Sequence, residues 1–140
     1  MWYYNNKEFK DIPDNIVGFV YLITNLKTGK KYIGKKNFFF VKTKYKVVTQ
    51  KNGIKKRKRI KENMDSDWQD YFGSNKQLKL DVEELGSEHF KREILYLCRN
   101  KAEMTYYEAH EQFERKVLLS NDYYNDWIMC RVTKKNMINK

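Results

Sequence analysis

Two tyrosines, Tyr21 and Tyr32, lie in a stretch that reads as two short strands around a turn, "GFVYLITNLKTGKKYIGKKN", residues 18–37. In an antiparallel hairpin with an even-length loop, the two phenols are predicted to lie on the same face. Gly34 shares their parity, and a glycine inside a strand leaves an open position where a substrate or another side chain can approach closely. The pair alone is typical of cross-strand packing. Beside the open position at Gly34, the tyrosine pair is also a candidate for contact with a substrate.

The most cationic part of the chain follows this hairpin. Residues 42–61, "KTKYKVVTQKNGIKKRKRIK", hold ten basic residues and no acidic one, in a chain with a formal net charge of +11. This concentration favours docking to a polyanion, and a solvated loop or a targeting signal is the alternative. Because lysine ammonium groups carry no base-reading geometry, we predict contacts to a nucleic-acid phosphate backbone. The predicted binding residues are Lys42, Lys44, Lys46, Lys55, Lys56, Arg57, Lys58, Arg59 and Lys61.

Length and composition limit the remaining possibilities. The 140 residues are expected to form a single domain, 1–140, with a basic insertion at about 42–62 and a frayed C-terminal tail. No apolar run approaches the roughly 20 residues of a membrane span, and the N-terminus lacks a signal-peptide pattern, so a cytoplasmic location is expected. Cys98 and Cys130 are predicted to be buried thiols rather than a disulfide. With only two histidines besides, a zinc site is not expected.

Periodicity and end signals predict the scaffold. Strands are expected at 17–24, 31–37 and 90–98, and a smaller hairpin within the basic segment turns at Asn52-Gly53. Two capping boxes predict helices, one from Ser74 to Gly86 and one from Asn100 to about Leu119. "DWQDYFG" is predicted to form a short helix ending at Gly73.

The motifs "FVYLI" and "KYIG" resemble the two-part signature of the GIY-YIG nuclease family. Tyr32-Ile33-Gly34 matches the second half, whereas Phe19-Val20-Tyr21 matches the first half only in its tyrosine. "ELGSEHFKREILYLC" is similar to the family's next helix end and third strand. The chain looks most like stand-alone phage endonucleases that resemble the Seg homing endonucleases. The resemblance implies an α+β fold, with a small three-stranded antiparallel sheet flanked by helices.

The resemblance also implies a reaction, hydrolysis of a DNA phosphodiester bond by water with one divalent metal, Mg²⁺ or Mn²⁺. Tyr21 would be the general base and Tyr32 its positioning partner. Glu108, on the helix after the third strand, would be the single metal ligand. Glu111 is the second choice, and Glu103 is expected to serve the helix cap.

The family's arginine has no direct counterpart in "KNFFFVKTKYK", which follows Gly34. Arg57 and Arg59 are the nearest arginines and are the candidates for this role, with Lys36 as a possible point-charge substitute. The histidine that often follows the arginine in the family is absent here or replaced by Tyr45. Gly34 and Asn125 are assigned supporting roles.

Further expectations concern the oligomeric state, the location and the competing functions. Double-strand cleavage by a protein with one active site would need a homodimer or two visits, and a phage-encoded enzyme would act in the host cytoplasm. The competing hypothesis is a catalytically weak or inactive basic nucleic-acid-binding protein that retains the fold. A general RNA binder is a weaker alternative, because basic charge in such proteins is usually spread over the whole chain.

Overall fold

The computed structural model describes residues 1–138. Residues 1–138 contain seven strands: β1 (Trp2–Tyr4), β2 (Lys7–Phe9), β3 (Gly18–Asn25), β4 (Lys31–Asn37), β5 (Phe39–Thr49), β6 (Lys55–Asp65) and β7 (Phe90–Cys98). Three helices accompany them: α1 (Lys76–Leu85), α2 (Lys101–Glu114) and α3 (Lys134–Ile138). Single 3₁₀ turns lie at Trp68–Asp70, Ser87–His89 and Val117–Leu119. The α+β class is confirmed.

The main sheet has five strands, in the order β2-β1-β7-β3-β4, so the prediction of three strands was wrong. The three predicted strands are present, and β3 pairs antiparallel with both β4 and β7. The additional strands come from the N-terminus, where β1 pairs with β2 and lies parallel to β7. Their turn is Asn5-Asn6, with φ angles of 51° and 65°. Asparagine tolerates this conformation and marks tight hairpins, so "YYNNKEF" carried a turn signal.

Two apolar clusters cover the two faces of the sheet. One is aromatic and contains Trp2, Phe19, Tyr21, Phe38 and Trp68, with Leu78 of α1 packed against it. The other lies beneath α2 and contains Val20, Leu22, Ile33, Met104 and Val117. Neighbouring residues of β3 therefore enter opposite clusters, as the two-residue period of a strand requires. Strand β4 is at the edge of the sheet, where groups from both faces can meet.

The basic segment forms a separate two-stranded antiparallel sheet, which we call the ribbon (β5 and β6). Its strands are eleven residues each, longer than the hairpin expected from the sequence. The turn falls at Asn52-Gly53, as predicted, with Gly53 at φ 80°. The ribbon starts two residues after β4 and shares no ladder with the main sheet.

Several helix boundaries differ from expectation. Asn75 rather than Ser74 caps α1, because its side-chain oxygen accepts the Leu78 N–H at 3.0 Å. The predicted cap Asn100 does accept the Glu103 N–H of α2, at 2.8 Å. Helix α2 ends at Glu114, and Lys116 takes a left-handed φ of 53°. The segment "DWQDYFG" forms only one 3₁₀ turn, at Trp68–Asp70.

The C-terminal region also departs from the prediction. The tail forms the short helix α3 instead of an irregular end, and the last two residues of the expected frayed segment, 139 and 140, lie outside the described residues. Cys98 is buried as expected, but Cys130 is exposed. Among residues 1–138, no helix combines the length and apolar character needed to cross a bilayer.

Candidate active site at the edge strand

The register of β3 and β4 brings the two phenols together. Tyr21 lies opposite Gly34 and Ile23 opposite Tyr32, so both tyrosines share a face of the sheet, and their ring centroids are 6.1 Å apart. Gly34 is what allows this arrangement. A Cβ at that position would overlap the Tyr21 hydroxyl and would lie 3.0 Å from the Tyr32 ring. Any side chain at position 34 would therefore displace Tyr21.

The Tyr21 phenol is almost fully enclosed, with 1% of the residue exposed. It packs edge-on against Trp2 and Tyr71 and forms a side-chain hydrogen bond with Tyr71. Burial, followed by the neighbouring Tyr71 and Tyr32, raises the Tyr21 pKa well above its usual value. The phenol is therefore neutral at physiological pH in the metal-free protein.

Tyr32 is more accessible than Tyr21. Its ring is half-buried, and its hydroxyl is 3.0 Å from the Ser74 Oγ, where either oxygen can donate the hydrogen bond. Burial raises the Tyr32 pKa, while the hydrogen bond from Ser74 opposes that shift. Ser74 is exposed, so this hydroxyl pair connects the phenol to solvent.

Glu108 approaches from α2, on the opposite side of β4. Burial raises the pKa of its carboxyl group, and the nearby Lys35 ammonium partly offsets this effect. Lys35 is held by a 2.9 Å hydrogen bond from its Nζ to the Thr105 Oγ1, one turn earlier on the same helix. A half-buried carboxylate beside one lysine is costly to keep charged, which is typical of functional sites.

The two other glutamates of α2 that were considered from the sequence, Glu111 and Glu103, are engaged elsewhere. Glu111 accepts hydrogen bonds from the Tyr96 hydroxyl at 2.7 Å and from Arg115 at 2.8 Å. Glu103 accepts the Arg99 backbone N–H at 2.8 Å and pairs with its guanidinium, which suits the expected cap role.

Two amide side chains close the free edge of β4 at Ile33. Asn125 accepts the Ile33 N–H at 3.0 Å and donates to the Ile33 carbonyl at 2.8 Å, replacing a missing strand partner. Gln112 donates to the same carbonyl at 3.3 Å. Gln112 is buried, and its Oε1 finds no hydrogen-bond partner within the described part of the chain. That oxygen is free to accept from water or to bind a cation.

These groups line one cavity of about 640 Å³ at the edge of β4. Tyr21, Tyr32, Glu108 and Asn125 are the predicted residues that meet there. Lys35, which lies close to Tyr32 in the sequence, also lines the cavity. Gln112, Asp126 and Arg131 are among the further polar or charged lining groups that were not predicted for the site. Gln112 was foreseeable, because it lies four residues after Glu108 on the same helix face. Arg131 was not, because it comes from an irregular tail whose position depends on tertiary packing.

The remaining predicted residues lie outside this cavity. Arg57 and Arg59 are on the ribbon, about 27 Å and 20 Å along β6 from Asp65 at its base. Lys36 points to the aromatic side of the sheet, where its Nζ is 2.6 Å from the Asp67 carboxylate and 4.1 Å from the Tyr71 ring centre. The predicted phosphate-binding lysines and arginines all lie on the ribbon strands.

The donor set is compatible with a lightly ligated hard cation. Among residues 1–138, no three His, Cys, Asp or Glu side chains cluster closely enough to hold a metal alone. The cavity offers the Glu108 carboxylate, the Gln112 amide oxygen and the exposed Asp126 carboxylate. Mg²⁺ keeps several waters and binds through one or two carboxylates plus substrate phosphate, so such a set fits it.

The fold is α+β, and its edge hairpin and helix α2 bring two tyrosines and one glutamate to one cavity. Residues 2–128 match the family model described as "Putative endonuclease segE, GIY-YIG domain", and the chain belongs to this family of endonuclease domains. A search of curated proteins and a search of solved structures each found no match.

Proposed function

We propose that this protein is a divalent-metal-dependent DNA endonuclease of the Seg homing or DNA-processing type. The observation that carries the proposal is the convergence of Tyr21, Tyr32 and Glu108 on one cavity, from opposite faces of the same edge strand. Family membership supports nuclease chemistry, and the cationic ribbon supports a nucleic-acid substrate.

Burial favours an exchange of the two phenol roles expected from the sequence. Tyr21 is enclosed, and its pKa is raised more strongly than the pKa of Tyr32. Tyr21 therefore orients its neighbours and does not take a proton. The Tyr32 hydroxyl can accept a proton from the attacking water while its own proton passes to Ser74 and then to solvent. The water oxygen bonds to phosphorus as the bond from phosphorus to the leaving sugar oxygen breaks, and that oxygen takes up a proton from solvent. No free phenolate is needed before the reaction.

Two cations of the cavity, Lys35 and Arg131, are available to stabilise the negative charge that develops on the phosphate. Arg131 offers the planar two-pronged grip that a lysine lacks. We therefore assign the family's arginine role to Arg131, in place of Arg57 and Arg59.

Glu108 would hold the metal, with Gln112 and Asp126 beside it. A bound divalent cation would neutralise charge on the phosphate and make the water a stronger acid. Mg²⁺ and Mn²⁺ both suit oxygen ligands of this kind.

Nicking of supercoiled plasmid DNA, with Mg²⁺, Mn²⁺ or EDTA, tests the proposal. We expect metal-dependent cleavage that falls about 100-fold or more in Tyr32→Phe and in Glu108→Gln. Arg131→Ala should lower the single-turnover rate on bound DNA, whereas Arg57→Ala should not. Tyr106→Phe and Glu114→Gln are matched controls, because both residues are exposed on α2.

Cleavage that persists in EDTA, or that survives in both site variants, would contradict the proposal. Native protein that binds DNA without cutting would support the second candidate, an inactive DNA-binding protein. That candidate is favoured by one observation, the deep burial of the Tyr21 hydroxyl.

The remaining parts of the proposal concern organisation. We propose that residues 1–140 act as one domain with the ribbon as an insertion, in the cytoplasm of the cell where the DNA lies. A single cavity serves one strand at a time, so double-strand cleavage would require a homodimer or two successive visits.

A further inference from the structure

The ribbon has the dimensions of a groove-binding element. Eleven residues per strand give it a length of about 35 Å, roughly one turn of B-form DNA. The major groove is about 12 Å wide and admits a two-stranded ribbon. The ribbon is a sheet of its own, and nearly all of its residues are exposed.

The register divides the ribbon into two chemically different faces. Directly opposed residues of an antiparallel pair point to the same side, and successive pairs alternate. We call one side the arginine face, formed by the pairs Thr43–Lys61, Tyr45–Arg59, Val47–Arg57 and Thr49–Lys55. The other is the lysine face, formed by Lys42–Glu62, Lys44–Ile60, Lys46–Lys58 and Val48–Lys56. Both arginines of the ribbon are therefore on one face.

The arginine face carries groups suited to reading base edges. All eight of these residues are exposed, and none of the eight is acidic. The same side continues at the base of the ribbon with the pairs Val41–Asn63 and Phe39–Asp65. The Arg57 guanidinium lies 4.5 Å from the centre of the Tyr45 ring, which limits its freedom. An arginine fork can donate two hydrogen bonds to the O6 and N7 atoms of guanine, and threonine can contact several bases.

The lysine face is suited to phosphate instead. It carries five lysines, and one of them, Lys44, is paired with Glu62 at 3.1 Å. Lysine side chains are long and flexible and end in a compact charge. They therefore bind phosphate without selecting a particular base.

We propose that the ribbon lies in the major groove of B-form DNA with its arginine face against the base edges, and that Arg57 and Arg59 select guanine. The lysine face then points outward, and its side chains reach the phosphates along the groove rim. Arg57 and Arg59 are two residues apart, a separation of about 7 Å, so they address positions about two base pairs apart. This inference rests on the proposed function only in taking DNA as the partner.

Duplex RNA is the less suitable partner. The major groove of an A-form helix is too deep and narrow for protein side chains to read its bases. The ribbon, two strands wide with side chains on both faces, matches the wider groove of B-form DNA.

A binding selection on the full-length protein tests this assignment. Duplexes with a randomised stretch are selected in EDTA, so that cleavage plays no part, and affinities for selected and random duplexes are measured. We expect native protein to prefer guanine at two positions about two base pairs apart. The double variant Arg57→Lys, Arg59→Lys keeps the charge and should lose that preference, with a tenfold to hundredfold loss of affinity for selected DNA. Its affinity for random DNA and its salt dependence should stay unchanged.

Lysine-face variants provide the matched control. Lys46→Gln with Lys58→Gln should weaken binding to all sequences equally and lower the slope of log affinity against log salt by about 2. The guanine preference should persist. Replacing the selected guanines with 7-deazaguanine removes the N7 acceptor and should weaken native protein but not the arginine double variant.

Three results would overturn the inference: no preference in native protein, a preference that survives in the arginine double variant, or equal affinity for duplex RNA. A protein that cuts DNA but shows no preference would refute the ribbon assignment alone. A protein that shows the preference but does not cut would refute the nuclease proposal alone.

Discussion

At the level of single residues, the site combines groups that the fold makes costly to ionise. Burial raises the pKa of Tyr21, Tyr32 and Glu108, so all three favour their neutral forms. Such shifts oppose stability when the charged form is required, and they are common where chemistry is carried out. The Lys35 ammonium offsets part of this cost at Glu108.

Glu108 provides a prediction for stability and its pH dependence. Because its folded-state pKa is raised, the folded protein binds this proton more tightly than the unfolded chain does. The stabilising contribution is therefore complete below the usual carboxyl range, near pH 4.5, and is lost as pH rises through the folded-state pKa. Glu108→Gln should raise Tm by a few degrees at pH 7.5 in EDTA, with a smaller difference near pH 4.5.

Thermal unfolding at the two pH values measures this effect. Glu114→Gln is the control, because Glu114 is exposed on the same helix. A variant less stable than native protein at pH 7.5 would show that the Glu108 carboxylate makes a net stabilising contact.

At the level of elements, adjacent residues have separate functions at the start of α1. Asn75 caps the helix and also donates its side-chain N–H to the Tyr124 carbonyl at 2.9 Å, which ties α1 to the segment that carries Asn125. The hydroxyl of Ser74, one residue earlier, instead forms a hydrogen bond with the Tyr32 hydroxyl. The capping box predicted from the sequence placed the cap at Ser74, one residue before the residue that caps α1 in the structure.

Substitution separates the two roles. Asn75→Ala should lower the free energy of unfolding by about 1–2 kcal/mol, because a cap and a buried carbonyl partner are lost together. Ser74→Ala should change it by less than about 0.5 kcal/mol but should slow cleavage, since the proton path from Tyr32 is broken. Urea unfolding and plasmid nicking measure these changes. Equal destabilisation by both substitutions would contradict this division of roles between Ser74 and Asn75.

At the level of the whole molecule, the charge and the fold are carried by different parts. Ten of the 29 basic residues lie between Lys42 and Lys61, on a ribbon that contributes little to either apolar cluster. The five-stranded sheet and its two clusters form the body that holds the cavity. Under the proposed function, DNA affinity and the geometry of the catalytic cavity would therefore depend on different parts of the chain.

Replacing residues 42–62 with a short Gly-Ser turn tests that separation. The body should remain folded, with a Tm within a few degrees of native, because the removed strands have no ladder to the main sheet. DNA affinity should fall by at least 100-fold, and the salt slope should decrease by several units. Loss of folding would show that the ribbon stabilises the body.

Much of this structure was predictable from local signals. The hairpin of β3 and β4 followed from two-residue alternation with Gly29 at the turn, and β7 from its dense apolar run. The cap at Asn100 was predicted from a capping box, whose hydrogen bonds join residues within four positions of each other in the chain. Glu108 was placed by family resemblance, since residue type alone does not distinguish it from Glu111.

By itself, the amino-acid sequence determined the strands and helices with strong periodicity, the concentration of charge in one segment, and the family signature at Tyr32-Ile33-Gly34. Only the tertiary structure decided which groups share the cavity. The tail and α2 close the free edge of β4, and this brings Arg131, Asp126 and Gln112 to the cavity. Arg57 and Arg59 lie on the ribbon, away from the cavity. The physical reason is that hydrogen bonding and side-chain alternation act over a few residues, but burial and convergence depend on contacts between segments far apart in the chain.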